Sequence, residues 1–199
     1  MAANVSATRR DPGGRAVSRD DVEPVLQLAF LGLGSNQGDR LAHLRGALFA
    51  LACHPEIEVT AVSCVYETEY VGPGAQDPYL NACAAIRTSL APPVLLAVLK
   101  GMEARHGRLR DGDLSPRPLD LDILVYGENV NGDGAPILPH PRLRERAFVL
   151  LPLREIAADL PLPDSGETVA TVCARIRRQS GPWVRRLAGD LFAGNGVEP

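Results

Sequence analysis

The chain has 199 residues, of which 45% are apolar and 23% charged, with a formal net charge of −3. That is enough for one well-buried domain with tails, and the slight acidic balance excludes the basic footprint of a nucleic-acid-binding protein. No apolar run approaches the roughly 20 residues of a membrane span, and residues 1–23 contain no signal-like apolar segment.

Residues 1–24 mix Ala, Ser, Gly, Pro and Arg with acids, show no periodicity, and read as a disordered extension. Val25 to Leu33 is a short apolar run that predicts a strand. It enters Gly32-Leu33-Gly34-Ser35-Asn36-Gln37-Gly38-Asp39-Arg40, after which Leu41, Leu44, Leu48 and Leu51 predict a helix over 39–53. The glycine stretch looks like a phosphate-binding loop, but it lacks Gly-Lys-Ser/Thr and its Gly-x-Gly-x-x-x-Gly spacing is not the dinucleotide fingerprint. It reads more simply as a tight strand-to-helix turn, with Ser35 and Asn36 as caps or turn bonds. Partial alternation predicts strands over 57–66 and 79–88, joined through a loop at 67–78 that Gly72, Pro73, Gly74 and Pro78 keep irregular. So long a connection in a compact domain points to function, and Tyr70, Tyr79 and Asn81 line its edges. Cys64 and Cys83 are placed to face each other across this hairpin. With Cys53 and Cys173, however, their spacing fits neither a zinc site nor a disulfide framework, which suggests reduced thiols in a cytosolic protein.

The clearest helix is 89–105. Pro92 and Pro93 suit its first turn, and Val94, Leu95, Val98, Leu99 and Met102 make its core face. Glu103 falls at the buried edge, and Gly107 is fit for a left-handed cap. A loop with Arg108, Arg110 and Arg117 then leads into the strand Asp120-Leu121-Asp122-Ile123-Leu124-Val125-Tyr126. Alternation puts Asp120 and Asp122 on one side, about 7 Å apart along the backbone, with Leu121, Ile123 and Val125 on the other. By itself the acidic pair is more simply a solvated edge. The neighbouring arginines favour the other reading, in which a cation and Arg forks share phosphate oxygens. Further on, 128–138 predicts a short hairpin, Pro139 and Pro141 pin His140, a helical region starts at 142–151, and an amphipathic helix spans about 169–178. Trp183 packs at an unassigned place.

The order strand, helix, strand, strand, helix, strand predicts an α+β fold of the ferredoxin-like (βαββαβ) kind. Its antiparallel sheet has helices on one face, facing Leu121, Ile123 and Val125, and the substrate site on the other. The expected organisation is a disordered 1–24, a domain over 25–178, and a tail over 179–199 that is partly ordered at most.

The stretches LGLGSNQGDR (31–40), YETEYVGPGAQDPYLNA (66–82), EARHGRLR (103–110), SPRPLDLDIL (115–124), LPHPRLRERAF (138–148) and LPLREIA (151–157) stand in this order. Together they resemble the hydroxymethyl-dihydropterin pyrophosphokinase family. The resemblance implies an ATP-dependent diphosphotransferase of tetrahydrofolate biosynthesis, which transfers pyrophosphate from ATP to 6-hydroxymethyl-7,8-dihydropterin and releases AMP. It implies that Arg108, Arg117, Asp120 and Asp122 are catalytic, and that the two aspartates hold two Mg²⁺ ions on the ATP phosphates. Glu103, Arg110, Ile123, His140 and Arg146 would contact ATP. Thr68, Val71, Tyr79, Asn81 and Phe148 would form the pterin pocket, with the ring between Tyr79 and Phe148. The two loops would then be lids, and no general base is assigned. The implied partners are small molecules alone, with no nucleic acid and no membrane, in a cytoplasmic monomer or weak oligomer. Against the family pattern, Asp111, Asp113 and Leu114 replace a Trp or basic residue, Tyr70 replaces a Pro, and Lys100 replaces a Gln. Two other readings are a dinucleotide-binding oxidoreductase domain using the Gly32–Gly38 loop, and a degenerate pterin- or nucleotide-binding module without turnover.

Overall fold

The computed structural model describes residues 25–107, 115–176, 183–187 and 191. Its elements run β1 (Gln27–Ser35), α1 (Arg40–Ala52), β2 (Ile57–Val62), β3 (Tyr66–Thr68), β4 (Tyr79–Thr88), α2 (Pro92–Arg105), β5 (Asp120–Tyr126), α3 (Ala147–Ala157), α4 (Val169–Ile176) and β6 (Val184–Arg186). The strands form one sheet in the order β5-β1-β4-β3-β6, with β2 also paired to β4. Every described pairing is antiparallel. The parallel βαβ unit that a dinucleotide-binding loop requires is therefore absent among the described strands. No helix among the described residues is long and apolar enough to cross a membrane.

Two apolar layers clamp the sheet. On one face Leu44, Leu48 and Leu51 of α1 and Leu95, Leu99 and Met102 of α2 pack on Leu31, Leu33, Ile86, Leu121 and Ile123. On the other, Leu150 and Leu153 of α3 and Val172 and Cys173 of α4 cover Phe30, Cys83, Ala85, Leu124 and Val125. The helices are therefore not confined to one face. The second face is open only beyond the α3–α4 pair, where Asp120 and Asp122 lie.

Three expected details change. Val125 does not follow Leu121 and Ile123 towards α1 and α2. The pairing of β5 with β1 slips between Phe30 and Leu31, so that Phe30 opposes Val125 and Leu31 opposes Ile123. Leu124 is the extra residue of a bulge, and both Leu124 and Val125 turn to the α3–α4 side. The strand expected over 57–66 is broken at Ser63, whose buried hydroxyl accepts the Cys83 amide at 2.9 Å while its own amide donates to the Cys83 carbonyl at 2.9 Å. Cys83 thus bonds Ser63 across the hairpin, and all four cysteines are free thiols. Finally, residues 141–145 form turns, and the helix starts only at Ala147 after an extended Arg146.

Past the domain limit expected at 178, β6 adds to the outer edge of β3, with Thr68 opposite Val184 and Tyr66 opposite Arg186. It is pinned on both faces, by Arg185 to Glu67 and by Arg186 Nε to Glu155 Oε1 at 2.7 Å. Glu155 also accepts the Cys64 amide at 2.8 Å and the Tyr66 hydroxyl at 2.9 Å. Burial works against its charge, but these donors outweigh it and hold the carboxyl below its ordinary value. A carboxyl depressed by folding contributes stability above its unfolded pKa and loses it as the pH falls through the folded value. Glu155→Ala should therefore cost about 1–3 kcal/mol in urea denaturation at neutral pH. That gap should narrow on acidification below the ordinary carboxyl value of 4.5; a gap constant across this range would contradict the assignment.

Candidate active site

The open part of the second sheet face is a cavity whose floor is backbone. Gly32 and Gly34 lie inside β1, not in the turn after it, opposite Asp122 and Asp120 of β5 and Cys83 and Asn81 of β4. A Cβ on Gly34 would sit 3.3 Å from Asn81 Oδ1 and 3.7 Å from both Asp120 Cβ and Tyr79 Cδ1, and one on Gly32 would meet Leu124 Cδ2 at 3.3 Å. Of the three glycines of this stretch, only Gly38, with φ of 66°, takes a turn conformation that favours glycine. The α1 cap there is Asp39, which accepts the Ala42 amide at 3.0 Å.

Around this floor the cavity gathers Thr68, Tyr79, Asn81, Arg117, Asp120, Asp122, Arg146, Phe148 and the rim residue Val71, all expected from the sequence. Asn81 Nδ2 donates to the buried Thr68 hydroxyl at 2.8 Å, fixing the amide so that its oxygen lies towards Gly34. Arg117 Nη1 bonds Asp120 Oδ1 at 2.9 Å. Burial opposes the Arg117 charge, yet Asp120 holds the guanidinium protonated above its usual range. Arg146 lies over the Phe148 ring, 5.4 Å from its centroid.

His140 stands behind Asp122, with Nε2 at 3.7 Å from Asp122 Oδ2. Its amide donates to the Leu124 carbonyl at 2.8 Å, and its Nδ1 accepts the Arg142 amide at 3.2 Å. The proton of the neutral ring is thus on Nε2, facing the carboxylate. Burial, aided by Arg146 and Arg142, lowers the His140 pKa against the pull of Asp122, which keeps the ring neutral near pH 7.

Besides His140, two expected site residues lie outside the cavity. Glu103 is 1% exposed, and its carboxylate accepts the Leu121 amide at 2.6 Å and Lys100 Nζ at 2.9 Å. The Ile123 side chain is buried against α1 and α2. Arg108 and Arg110, with Asp111, Asp113 and Leu114, fall outside the described residues.

Sequence reasoning missed the residues that tie the cavity walls together. Asn36, 2% exposed, donates its amide to the Arg117 carbonyl at 3.0 Å and accepts the Arg117 amide at Oδ1 at 2.7 Å. Its Nδ2 donates to Gln76 Oε1 at 2.9 Å, so one side chain holds both loops that flank the cavity. Arg40 does similar work beside it, bonding the Pro78 carbonyl at 2.7 Å and Glu67 at 3.0 Å. A turn-type Asn and the first cation of α1 carry no sequence signal for such long-range bonds. Arg142 also lines the cavity without having been expected there.

Asp120 and Asp122 offer hard oxygen donors side by side on an open face. Among the described residues no group of three or more ligand-type side chains could hold a metal by itself. That donor set fits Mg²⁺, which takes one or two carboxylates and completes its shell with water and substrate phosphates.

Residues 30–158 match the family model described as 7,8-dihydro-6-hydroxymethylpterin-pyrophosphokinase (HPPK). The chain belongs to the HPPK family. It is 47% identical over 148 residues, 74% of this chain and 92% of the other, to the 2-amino-4-hydroxy-6-hydroxymethyldihydropteridine pyrophosphokinase of Methylorubrum extorquens. To the Bacillus subtilis protein of the same name it is 45% identical over 166 residues, covering 83% of this chain and 95% of that one. Among solved structures, Plasmodium falciparum HPPK-DHPS with pteroate aligns with a TM-score of 0.61 at 12% identity, over 78% of this chain and 45% of that chain. That likeness is one of fold, and this chain spans less than half the length of the Plasmodium protein.

Replacing Asn36 by Ala should orphan the buried Arg117 amide and cost about 1–3 kcal/mol of stability. Amide exchange should rise at Arg117 and around Gln76 together, while exchange in α4 stays as it was. A rise confined to one of the two loops would contradict the shared clip.

Proposed function

We propose that the protein transfers pyrophosphate from ATP to 6-hydroxymethyl-7,8-dihydropterin, releasing AMP, in tetrahydrofolate biosynthesis. The observation that carries this reading is a pair of aspartates, within the span that matches the family model, standing over a glycine floor, with Arg117 on one side and an aromatic pocket on the other. The pterin hydroxyl attacks the β-phosphorus of ATP, the bond from that phosphorus to the AMP oxygen breaks in line, and the hydroxyl proton leaves to solvent. No covalent intermediate with the protein is formed, and no side chain is assigned as a general base.

In this reading Thr68, Val71, Asn81, Tyr79 and Phe148 hold the pterin. The Asn81 amide meets the heterocycle edge, and the two rings meet its faces. Asp120 and Asp122 would hold two Mg²⁺ ions, whose charge would offset that of the triphosphate and favour attack on it. Arg117, with Arg146 just before α3, would supply positive charge around the same oxygens; Arg108 and Arg110, which lie outside the described residues, are expected to add to it. His140, neutral and bonded to the β5 backbone, orients Asp122. Glu103 acts from behind by fixing the Leu121 amide between the two aspartates, and Ile123 meets nucleotide only through its backbone. Closure of the two flanking loops over both substrates would exclude water from the phosphates.

The ferredoxin-like reading of the core is supported by the strand order β5-β1-β4-β2 with α1 and α2 on one face, to which α3, α4 and β6 are additions. Residues 1–24 lie outside the described residues; we also read 25–178 as the catalytic domain with β6 as a strand from the tail, and the protein as a cytoplasmic monomer or weak oligomer. Every residue given a role here comes from one chain, the four thiols are free, and a net charge of −3 offers nothing to nucleic acid.

Incubation with ATP, Mg²⁺ and the reduced hydroxymethylpterin should release AMP. Asp120→Ala and Asp122→Ala should each lower kcat by about a hundredfold or more, the usual cost of deleting one preorganised electrostatic group, with unfolding curves unchanged. Near-normal turnover in either variant would overturn the metal assignment. Removal of the divalent ion by chelation should abolish turnover in the wild type.

A further inference from the structure

The loop after Thr68 carries an aromatic residue with no place in the scheme above. Tyr70 lines the same cavity as Tyr79 and Phe148. Its ring lies nearly parallel to that of Tyr79, with 6.3 Å between centroids and 18° between planes. The loop wraps the Tyr70 ring from the other side: the hydroxyl donates to the Pro73 carbonyl at 3.3 Å. The backbone of Gly72 passes so close that a Cβ there would lie 2.2 Å from the Tyr70 oxygen and 2.5 Å from Cζ. Ring and loop pack against each other over residues 70–73. Where the family pattern places a Pro, this chain thus places a second tyrosine, its ring nearly parallel to and offset from the one already assigned to the pterin.

We propose that Tyr70 is a specificity-determining residue of the heterocycle subsite, a third aromatic wall that selects a fused bicyclic ring over a single ring. The proposal rests on the reading that this cavity takes the pterin. Tyr79 and Phe148 suffice to stack one six-membered ring, whereas the offset Tyr70 ring carries aromatic lining of the same cavity beyond the edge of Tyr79, where only the second ring of a fused ligand can reach it. An additional aromatic contact should change affinity by roughly three- to tenfold.

The test measures binding of reduced hydroxymethylpterin and of a monocyclic 2-amino-4-hydroxypyrimidine by calorimetry to the full chain, in the wild type, Tyr70→Ala, Tyr70→Phe and Tyr79→Ala. Tyr70→Ala should weaken pterin binding three- to tenfold and leave the pyrimidine and ATP unchanged. Tyr70→Phe should restore pterin binding, because the ring and not the hydroxyl makes the contact. Unfolding curves of each variant check that the fold is retained. Weakening by Tyr79→Ala with no effect of Tyr70→Ala overturns the role of Tyr70 and leaves the pterin site standing. Tighter pterin binding by Tyr70→Ala also overturns it, since the ring would then occupy the ligand's place. Absence of pterin binding in the wild type overturns both the subsite reading and the proposal.

Discussion

Two residues without side chains, Gly32 and Gly34 in the second strand of the sheet order, determine where everything else can go. They sit inside a strand between two side-chain-bearing neighbours, and at both positions a Cβ would press against the atoms that surround the cavity. The β1 strand runs on to Ser35 without turning, so the glycines have a steric role rather than a conformational one. They let β4 and β5 present an amide and two carboxylates on either side of bare backbone. Asp120 and Asp122 are opposite these glycines by register, and Asn81 and Cys83 flank them from the other side. A glycine in a strand costs roughly 0.5–1 kcal/mol relative to alanine. The sheet carries that cost twice on the floor of the cavity, and the α1–α2 layer beneath, with its buried leucines, offsets it.

Positions at the rim are held by bonds that cross long stretches of chain. Asn36 and Arg40, four residues apart at the end of β1 and the start of α1, between them bond the backbones of Arg117, Asp77 and Pro78 and the side chains of Gln76 and Glu67. The two loops that flank the cavity are thus fastened to one rigid corner. From behind, buried Glu103 fastens the backbone between the two aspartates. From the sheet edge, β6 and Glu155 fasten β3, the strand that carries Thr68. The cavity walls are therefore held in place by polar contacts outside the cavity, which is how a small domain keeps a charged face in register.

How much of this could be read from the sequence depended on whether the signal was local. Alternation in Asp120-Leu121-Asp122-Ile123 correctly put the aspartates opposite the core, because period two is a property of any strand. It failed at Val125, since a bulge is set by what pairs across the strand and leaves no mark in the strand itself. The break at Ser63 was hidden for the same reason: a serine in a strand pattern does not announce that its hydroxyl will take the Cys83 amide. The Gly-x-Gly stretch was read as a turn because glycine marks turns far more often than it clears a floor. The family motifs located the cavity residues, while Asn36, Arg40 and the Tyr70–Tyr79 pair became visible only in three dimensions. Glu103 and Ile123 show the converse. Both lie in family motifs, yet their side chains are packed away from the cavity.

The most direct test of this account is a crystal structure of the protein with Mg²⁺, a non-hydrolysable ATP analogue and the reduced pterin. The account requires metal density at about 2.1 Å from carboxylate oxygens of both Asp120 and Asp122, bridging to the phosphates. It also requires the pterin ring between Tyr79 and Phe148, against the backbone of Gly34. Phosphates bound instead at the Gly38 turn, or a pterin lodged anywhere off the glycine strip, would contradict it.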